Sequence, residues 1–139
     1  MKKNTITVKS LLIILISAFT LSSCNFFPAE CKPDLSLKAS NANKIKRYKG
    51  CEATVSGYVY STYKPKSGKV FFLNLGNSNY KKAFTGVIFK NNFKEFDKPL
   101  SSYEGKEISI YGTIDTYENR PQIIINQPEQ INNLENDHF

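Results

Sequence analysis

From Cys51 onward, apolar and polar residues alternate in short segments, and this alternation constrains the fold more than any other feature of the chain. In Cys51–Tyr60, small and apolar residues occupy the odd positions and polar residues or tyrosines the even ones. Such a period of two predicts strands with one buried face. Four further strands are predicted, at 70–75, 84–89, 107–114 and 120–125. Gly57 and Gly112 lie inside the first and fourth strands, where a bend or bulge would let a strand curl around a small barrel.

The segments around these strands contain turn-forming residues or change to helical spacing. Ser40–Tyr48 has apolar residues at intervals of three, which predicts a short helix capped by Ser40. Asn92 and Glu95 resemble a capping box before a second helical segment, which Pro99 limits to a turn or two. The predicted fold class is therefore all-β with a short helix between the third and fourth strands.

The first 24 residues indicate that the chain is exported. Three lysines precede an apolar run, Leu11–Leu21, that is shorter than the roughly 20 residues of a transmembrane helix but has the zones of a secretory signal. The run ends in Leu-Ser-Ser-Cys24, which resembles the lipobox of bacterial lipoproteins. A plain signal peptide cleaved near Cys24 and an uncleaved anchor are the alternatives.

The lipobox resemblance implies a signal peptide at 1–23 and a Cys24 that carries a diacylglycerol thioether and further acyl chains such as palmitate. Several acyl chains hold a protein firmly on a membrane, whereas one chain anchors it only marginally. We therefore expect a lipid-anchored protein of the cell envelope. In a cell with two membranes, Asn25 after the lipidated cysteine favours the outer membrane, with the domain facing the periplasm or the surface.

Residues 24–139 are enough for one small domain but not for two. We divide them into a tether at 24–40, a barrel domain at 41–131 and a polar tail at 132–139. Three of the 19 basic side chains belong to the leader, which leaves 16 against 12 acidic ones. A surplus of this size fits a polyanion partner, anionic lipid beneath the anchor, or neither.

If Cys24 carries lipid, two cysteines remain, Cys31 and Cys51, and export affects whether they can form a disulfide. Disulfides persist outside the cytoplasm, so Cys31 and Cys51 form a plausible pair. Closing a loop of about 20 residues would stabilise the fold by roughly 3 kcal/mol in the chain-entropy model. Two unpaired thiols are the alternative, because a sequence contains no distances.

The sequence offers little support for catalysis or for a metal. The one histidine, His138, is next to last in the chain, where it cannot readily act as the base for a nucleophile. There is no zinc-ligand spacing and no glycine-rich phosphate loop. Arg47 and Arg120 are the only arginines, fewer than barrel nucleases use around a metal. We expect a non-catalytic binding module without cofactor or metal.

The strand sequences resemble a known family. YKGCEATVSGYV, FFLNLG, FTGVIF, YEGKEISIYGTI and RPQIIINQPEQI, in this order, are similar to secreted and lipoprotein-borne OB-fold domains of the nucleic-acid-binding, anticodon-binding-like type. The paired Gly-x-x-x-x-V/I-x-G segments at 50–57 and 105–112 and the Arg-Pro-Gln-Ile ending carry the resemblance most specifically. It implies a five-stranded OB-fold Greek-key barrel. Cys51 departs from the pattern, which usually has a polar residue there, and the departure coincides with the extra Cys31.

In this fold, ligands lie on the face of the second and third strands, between the loops after the first and fourth strands. Those loops are predicted at Ser61–Lys69 and Asp115–Pro121. Aromatic rings interleaved with cations suit single-stranded nucleic acid, because bases stack on rings and phosphates attract cations. The candidate ligand contacts are Tyr63, Lys64, Lys66, Lys69, Phe72, Asn74, Tyr117 and Arg120, with Thr85 and Phe89 as further positions. The loop tyrosines could instead cover the barrel mouth, and Lys81-Lys82 is expected to be a solvated turn.

Three functions remain open at this stage. The first is a membrane-tethered module that binds single-stranded nucleic acid. The second is an interaction or assembly scaffold for another envelope protein, and the third is binding of an anionic glycan on the same face. The oligomeric state is not predicted.

Overall fold

The structure, a computed structural model, describes residues 29–134. Within this range, seven strands and one α-helix lie in the order β1 (Ser36–Lys38), α1 (Ala42–Lys46), β2 (Glu52–Tyr63), β3 (Val70–Leu75), β4 (Phe84–Phe89), β5 (Glu107–Tyr117), β6 (Arg120–Ile124) and β7 (Ile131–Asn133). Short 3₁₀ helices lie at Tyr80–Lys82, Lys90–Glu95, Leu100–Tyr103 and Pro128–Gln130. The predicted signal at 1–23, Cys24, the start of the tether and the end of the tail lie outside the described residues.

Five of the strands close into a barrel. They pair in the order β2, β3, β4, β6, β5, and β5 returns to β2. The β4–β6 pairing is parallel and the other four are antiparallel. This is the five-stranded Greek-key barrel of the OB-fold, so the predicted fold class is confirmed.

The barrel core consists of aliphatic side chains and two phenylalanines. Five of its residues, Phe71, Leu73 and Leu75 of β3 and Phe84 and Ile88 of β4, are buried. The remaining fully buried large side chains are Ile45, Val55, Val59, Ile108, Ile110, Ile114, Ile123 and Ile125. Each contributes about 1.5–3 kcal/mol relative to exposure, which makes this layer the main stabilising element of the domain.

Strand β2 is long because it takes part in two pairings. Its first half, Glu52–Tyr58, pairs with β5 on one side and partly with β1 on the other, and its second half pairs with β3. The register shifts between Val59 and Ser61, which makes Tyr60 an extra residue opposite β3. Such a bulge reverses which alternate residues face outward. As a result Tyr63 faces outward, although Val59, also odd-numbered, is buried.

The glycine inside β2 has a different cause from the predicted one. The sequence predicts a bend or bulge at Gly57, but the bulge lies three residues later, at Tyr60. A Cβ at Gly57 would lie 2.7 Å from the Cβ of Ala39, in the segment after β1. Gly112 in β5 is similar, because a Cβ there would lie 2.7 Å from Cγ2 of Ile123. Both glycines therefore permit close approach of a neighbouring segment.

The helical segments differ in detail from the prediction. Helix α1 is shorter than expected and is capped by Asn41 rather than Ser40, since the Asn41 side-chain oxygen accepts a hydrogen bond from the Lys44 N–H at 3.1 Å. Between β4 and β5 the predicted helix is replaced by two 3₁₀ helices. There the Asn92 side chain donates to Asn126 instead of forming a capping box.

Part of the predicted tether belongs to the folded unit. Strand β1 lies inside the interval 24–40 and pairs in parallel with β2, and Leu37 and Ala39 are buried. At the other end, β7 extends two residues into the predicted tail and pairs with β5. None of the helices within residues 29–134 is long and apolar enough to cross a membrane.

The predicted disulfide is present in the structure. Cys31 is bonded to Cys51, with the two Cα atoms 5.3 Å apart, a usual distance for a disulfide. A second contact lies beside it, because the Ala29 N–H donates to the Arg47 carbonyl at 2.9 Å. The chain is therefore fixed to the barrel at the first residues that the structure describes.

Candidate ligand-binding groove

The outer face of the barrel carries two neighbouring rows of side chains that cross the strands. One row is polar. Its members are direct cross-strand partners on neighbouring strands: Ser61, Asn74, Thr85, Gln122 and Asp115. The adjacent row is apolar: Tyr63, Phe72, Val87 and Ile124. A ligand on this face therefore meets a hydrogen-bonding row beside an apolar one.

The polar row is held by hydrogen bonds between its own members. The Asn74 amide donates to Ser61 Oγ at 3.1 Å, and Thr85 Oγ1 donates to Asn74 Oδ1 at 3.4 Å. Asn74 is only 5% exposed. Predicted as a ligand contact, Asn74 forms the floor of this face and joins β2, β3 and β4.

At the far end of the polar row lies Asp115. The Thr116 N–H is the main cause that lowers the pKa of the Asp115 carboxyl, and hydrogen bonds from Lys49 and Gln122 lower it further. The Lys49 ammonium lies 3.3 Å from the carboxylate, and both side chains are about half exposed. An ion pair this exposed contributes little to stability, so its main effect is local order.

A concavity of about 490 Å³ opens between the Tyr63 and Phe72 end of the apolar row and the start of β6, with Ser61 and Asn74 of the polar row in its lining. We call it the aromatic groove. Its lining consists of Ser61, Thr62, Tyr63, Phe72, Asn74, Tyr80 and Arg120. The rings of Tyr63 and Phe72, which are direct cross-strand partners, have planes within 8° of parallel and centroids 6.3 Å apart. Tyr63 is 58% exposed, so an apolar surface of this pair is open to solvent.

Arg120 enters the aromatic groove from a tight hairpin. Glu118 and Asn119 connect β5 to β6 with φ angles of 46° and 61°, the positive values at both central positions that a type I′ turn requires. The turn places Tyr117 opposite Arg120 on the same sheet face. The Arg120 guanidinium lies 5.9 Å from the Tyr80 ring centroid, within cation–π range, and 3.9 Å from the Glu118 carboxylate.

The end of β2 is secured by a carboxylate from the connection before β5. Glu104 accepts hydrogen bonds from both the N–H and the hydroxyl of Thr62, at 2.8 and 2.7 Å. The hydroxyl donor is the main cause that lowers the pKa of Glu104, and the backbone donor adds to it. Because Tyr63 is the next residue, this contact helps to hold the aromatic groove in place.

The structure brings together four of the eight predicted ligand contacts and leaves four outside the groove lining. Tyr63, Phe72, Asn74 and Arg120 line the aromatic groove, and Tyr63 is the last residue of β2 rather than part of a loop. Tyr117 is beside it, opposite Arg120. The three lysines Lys64, Lys66 and Lys69 lie in the following loop, outside the groove lining. The Lys64 ammonium lies 5.4 Å from the ring centroid of Phe93, in the connection between β4 and β5.

Tyr80 was not among the predicted ligand contacts. Tyr80 is 52% exposed and stands in a 3₁₀ turn that was predicted only as a connection, with Lys81 and Lys82 expected to be solvated. The signal was an aromatic residue next to two cations, the same pattern that singled out the other two loops. Within residues 29–134, no group of three or more His, Cys, Asp or Glu side chains could hold a metal ion.

Comparison with known proteins adds structural similarity at low identity. No family model matches the chain, and no curated protein matches it significantly. Among solved structures it is similar to a chain of the Stn1-ten1 complex from S. pombe, with 13% identity, a TM-score of 0.45 and coverage of 60% of this chain and 58% of that one. It is also similar to an OB domain from Methanosarcina mazei, with 19% identity, a TM-score of 0.46 and coverage of 63% and 75%.

A third similar structure is the asparaginyl-tRNA synthetase from Pyrococcus horikoshii, at 16% identity and a TM-score of 0.46. The match covers 66% of this chain but only 22% of the synthetase. The present chain therefore spans less than a quarter of the synthetase and somewhat less than two thirds of the Stn1-ten1 chain. At these values the similarities carry no argument about function, and the OB-fold assignment rests on the strand pairings described above.

Proposed function

We propose that this chain is a lipid-anchored envelope protein whose OB-fold domain binds single-stranded nucleic acid in the aromatic groove. The observation that carries the proposal is the near-parallel pair of Tyr63 and Phe72 in a concavity that also contains a guanidinium, that of Arg120. Planar bases of any identity stack on such rings, and phosphates are attracted to the cation. The groove thus offers both interactions that a single strand needs, with no requirement for a particular sequence.

The binding test is a fluorescence anisotropy titration of the full mature chain, purified in a non-ionic detergent, with a short labelled oligonucleotide. We expect saturable binding at low salt that weakens as salt is raised, because phosphate binding releases counterions. Replacing Tyr63 by Ala should weaken binding, whereas Tyr58→Ala, a change at another exposed tyrosine of β2, should not. Absence of saturable binding at low salt would contradict the nucleic-acid proposal.

Anchoring through Cys24 has its own test. Metabolic labelling with a fatty-acid analogue should mark the wild type and spare Cys24→Ser. The lipobox-like Leu-Ser-Ser-Cys ending and the short apolar run before it support this expectation. Equal labelling of both proteins would remove the anchor from the proposal and leave the groove unaffected.

A second candidate function is docking of an envelope protein on the same sheet face. Phe89 and Ile124 favour it, because they extend the apolar row beyond the groove and are 46% and 37% exposed. A mostly apolar protein interface responds weakly to salt, whereas binding through phosphates responds steeply. The salt dependence of any partner that the protein retains therefore separates the two functions.

A further inference from the structure

The barrel has a second concavity, of about 720 Å³, that none of the predicted ligand contacts except Arg120 reaches. It lies between α1, the turn before β4 and the β5–β6 hairpin. We call it the cationic groove. Its cationic side chains are Lys46, Lys81, Lys82 and Arg120.

The two grooves are continuous at Tyr80 and Arg120. Both residues line both concavities. The cation–π contact between them therefore forms the border at which the aromatic groove passes into the cationic groove. A ligand that extends past Tyr80 from the aromatic side enters the cationic side.

The charge of the cationic groove is strongly unbalanced. Against four cations its lining contains one carboxylate, that of Glu118, which is 69% exposed and lies 3.9 Å from Arg120. The Lys46 ammonium donates to the neutral Asn119 side chain at 3.3 Å. Among residues 29–134, no carboxylate lies within ion-pairing distance of Lys81 or Lys82. The groove thus presents a surplus of positive charge to any ligand.

The turn that presents the two lysines is fixed by its own side chains. Asn77 Oδ1 accepts from the Asn79 N–H at 2.9 Å, and Asn79 Oδ1 accepts from the Lys81 N–H at 3.1 Å. The Lys82 N–H in turn donates to the Asn79 carbonyl at 2.8 Å. Since the backbone is already ordered, binding an anion here costs little further backbone entropy.

We propose that the cationic groove is a second subsite that binds the phosphates of a single strand whose bases occupy the aromatic groove. This inference rests on the proposed function and specifies the course of the ligand, from Tyr63 and Phe72 past Tyr80 to Lys81 and Lys82. The ligand class is a polynucleotide long enough to fill both grooves, within the range of about 4 to 16 nucleotides that OB-folds accommodate. A ligand too short to pass Tyr80 occupies the aromatic groove alone.

The test compares oligonucleotides of about three and about twelve nucleotides on the full mature chain in non-ionic detergent. The variant is Lys81→Gln with Lys82→Gln. Its matched control is Lys94→Gln with Lys98→Gln, which removes the same charge from exposed positions in the connection between β4 and β5. For the groove variant we expect affinity for the long oligonucleotide to fall roughly tenfold and its salt slope to decrease by about 1.4, which is 0.7 for each lost phosphate contact. Affinity for the short one should stay the same, and the control should change neither.

Three outcomes would overturn the proposal. One is an equal loss for the short and long oligonucleotides, and another is a loss in the control as large as in the groove variant. The third is that the groove variant, Lys81→Gln with Lys82→Gln, keeps its affinity for the long oligonucleotide but no longer binds anionic phospholipid vesicles or an acidic polysaccharide. If the wild type binds the short oligonucleotide and Tyr63→Ala abolishes this, the aromatic groove stands even where the cationic subsite fails. A wild type that binds neither oligonucleotide overturns both proposals.

Discussion

The two halves of β2 carry exposed aromatic residues in different settings. In the first half and at the bulge, Tyr58 and Tyr60 meet edge to face, with an interplanar angle of 73° and centroids 4.9 Å apart. In the second half, Tyr63 lies near-parallel to Phe72 of the neighbouring strand. The exposures are similar, 43%, 48% and 58% for the three tyrosines, so exposure alone does not distinguish a binding surface.

Geometry and surroundings separate the two pairs. In an edge-to-face contact the edge of one ring packs against the face of the other, so the two rings serve as each other's aromatic partner. The Tyr63 and Phe72 rings instead line a concavity next to Arg120. The halves also differ in how they are held, because the first is flanked by strands on both sides near a disulfide and the second ends at the Glu104 contact. We therefore expect the first half to contribute mainly to stability, whereas the proposed ligand contact lies in the second half.

Removing the disulfide is expected to give the largest effect, and on stability only. The combined change Cys31→Ser and Cys51→Ala should lower the free energy of unfolding by about 3 kcal/mol, because the unfolded chain regains the freedom of a loop with a sequence separation of 20. Thermal unfolding followed by circular dichroism measures this. Oligonucleotide affinity at a temperature where the variant is folded should be unchanged. A loss of affinity as well would show that the two halves are not independent.

Removing the Tyr63 ring should act on binding rather than on stability. We expect Tyr63→Ala to cost about 1–3 kcal/mol of binding free energy through lost stacking, with little dependence on base identity. Tyr58→Ala is the control from the other pair. Anisotropy titration of both variants measures the difference, and equal losses would show that the contrast between the pairs has no functional meaning.

Substituting Arg120 is expected to change how the affinity for the oligonucleotide depends on salt. Arg120→Gln should reduce the slope of log affinity against log salt by about 0.7, the value for one phosphate on a single strand, whereas Arg120→Lys should preserve the slope. Arg47→Gln, at the chain's other arginine, is the control, because Arg47 lies outside both grooves. A reduced slope in Arg47→Gln as well would indicate diffuse rather than local attraction.

The smallest expected effect concerns the Glu104 contact at the end of β2. Hydrogen bonds from Thr62 hold the pKa of Glu104 below its ordinary value of 4.5 in the folded protein. The contribution to stability is therefore complete above about pH 4.5 and is lost as the pH falls through the lowered pKa. Wild type should lose more stability on acidification than Glu104→Gln, measured by melting temperature against pH.

The Thr62 hydroxyl gives an independent check of that contact. In Thr62→Val the main donor is missing, so the pKa of Glu104, followed by NMR, should rise toward its ordinary value. Asp115, whose pKa is also lowered, titrates in both proteins and serves as an internal reference. An unchanged pKa of Glu104 would mean that the hydroxyl does not contribute in solution.

The alternation of residues was sufficient to predict the five strands of the barrel, and the family resemblance supplied their arrangement. All five predicted strands exist, because apolar residues at every second position leave a chain of this length few ways to bury them. The short β1 was missed, since three residues in a segment rich in Pro, Ser and Lys carry no periodic signal. Its place beside β2 depends on packing of Leu37 and Ala39, which a local pattern does not contain.

The groove could be predicted only where its residues follow from strand order. Tyr63, Phe72 and Arg120 lie at positions where the fold itself places ligands, and the sequence suggested them. Tyr80 and Arg120 come from distant parts of the chain and meet beside the neighbouring strands β4 and β6, so their contact required coordinates. The cationic groove combines a helix, a turn and a hairpin, and no spacing in the sequence relates the three.

The bulge at Tyr60 sets which residues of β2 face outward through the number of its residues as well as their identity. Val59 and Tyr63 are four positions apart and would face the same side of an unbroken strand, but the extra residue leaves Val59 opposite Leu75 and Tyr63 opposite Phe72. Deleting Tyr60 would place Val59 next to Ser61 in regular alternation, so both of these pairs would be kept and only the bulge would be removed. Tyr60 is therefore a position at which β2 can lose a residue and retain the ring opposite Phe72, a tolerance that single-residue deletions along the strand would detect and substitution scanning would not.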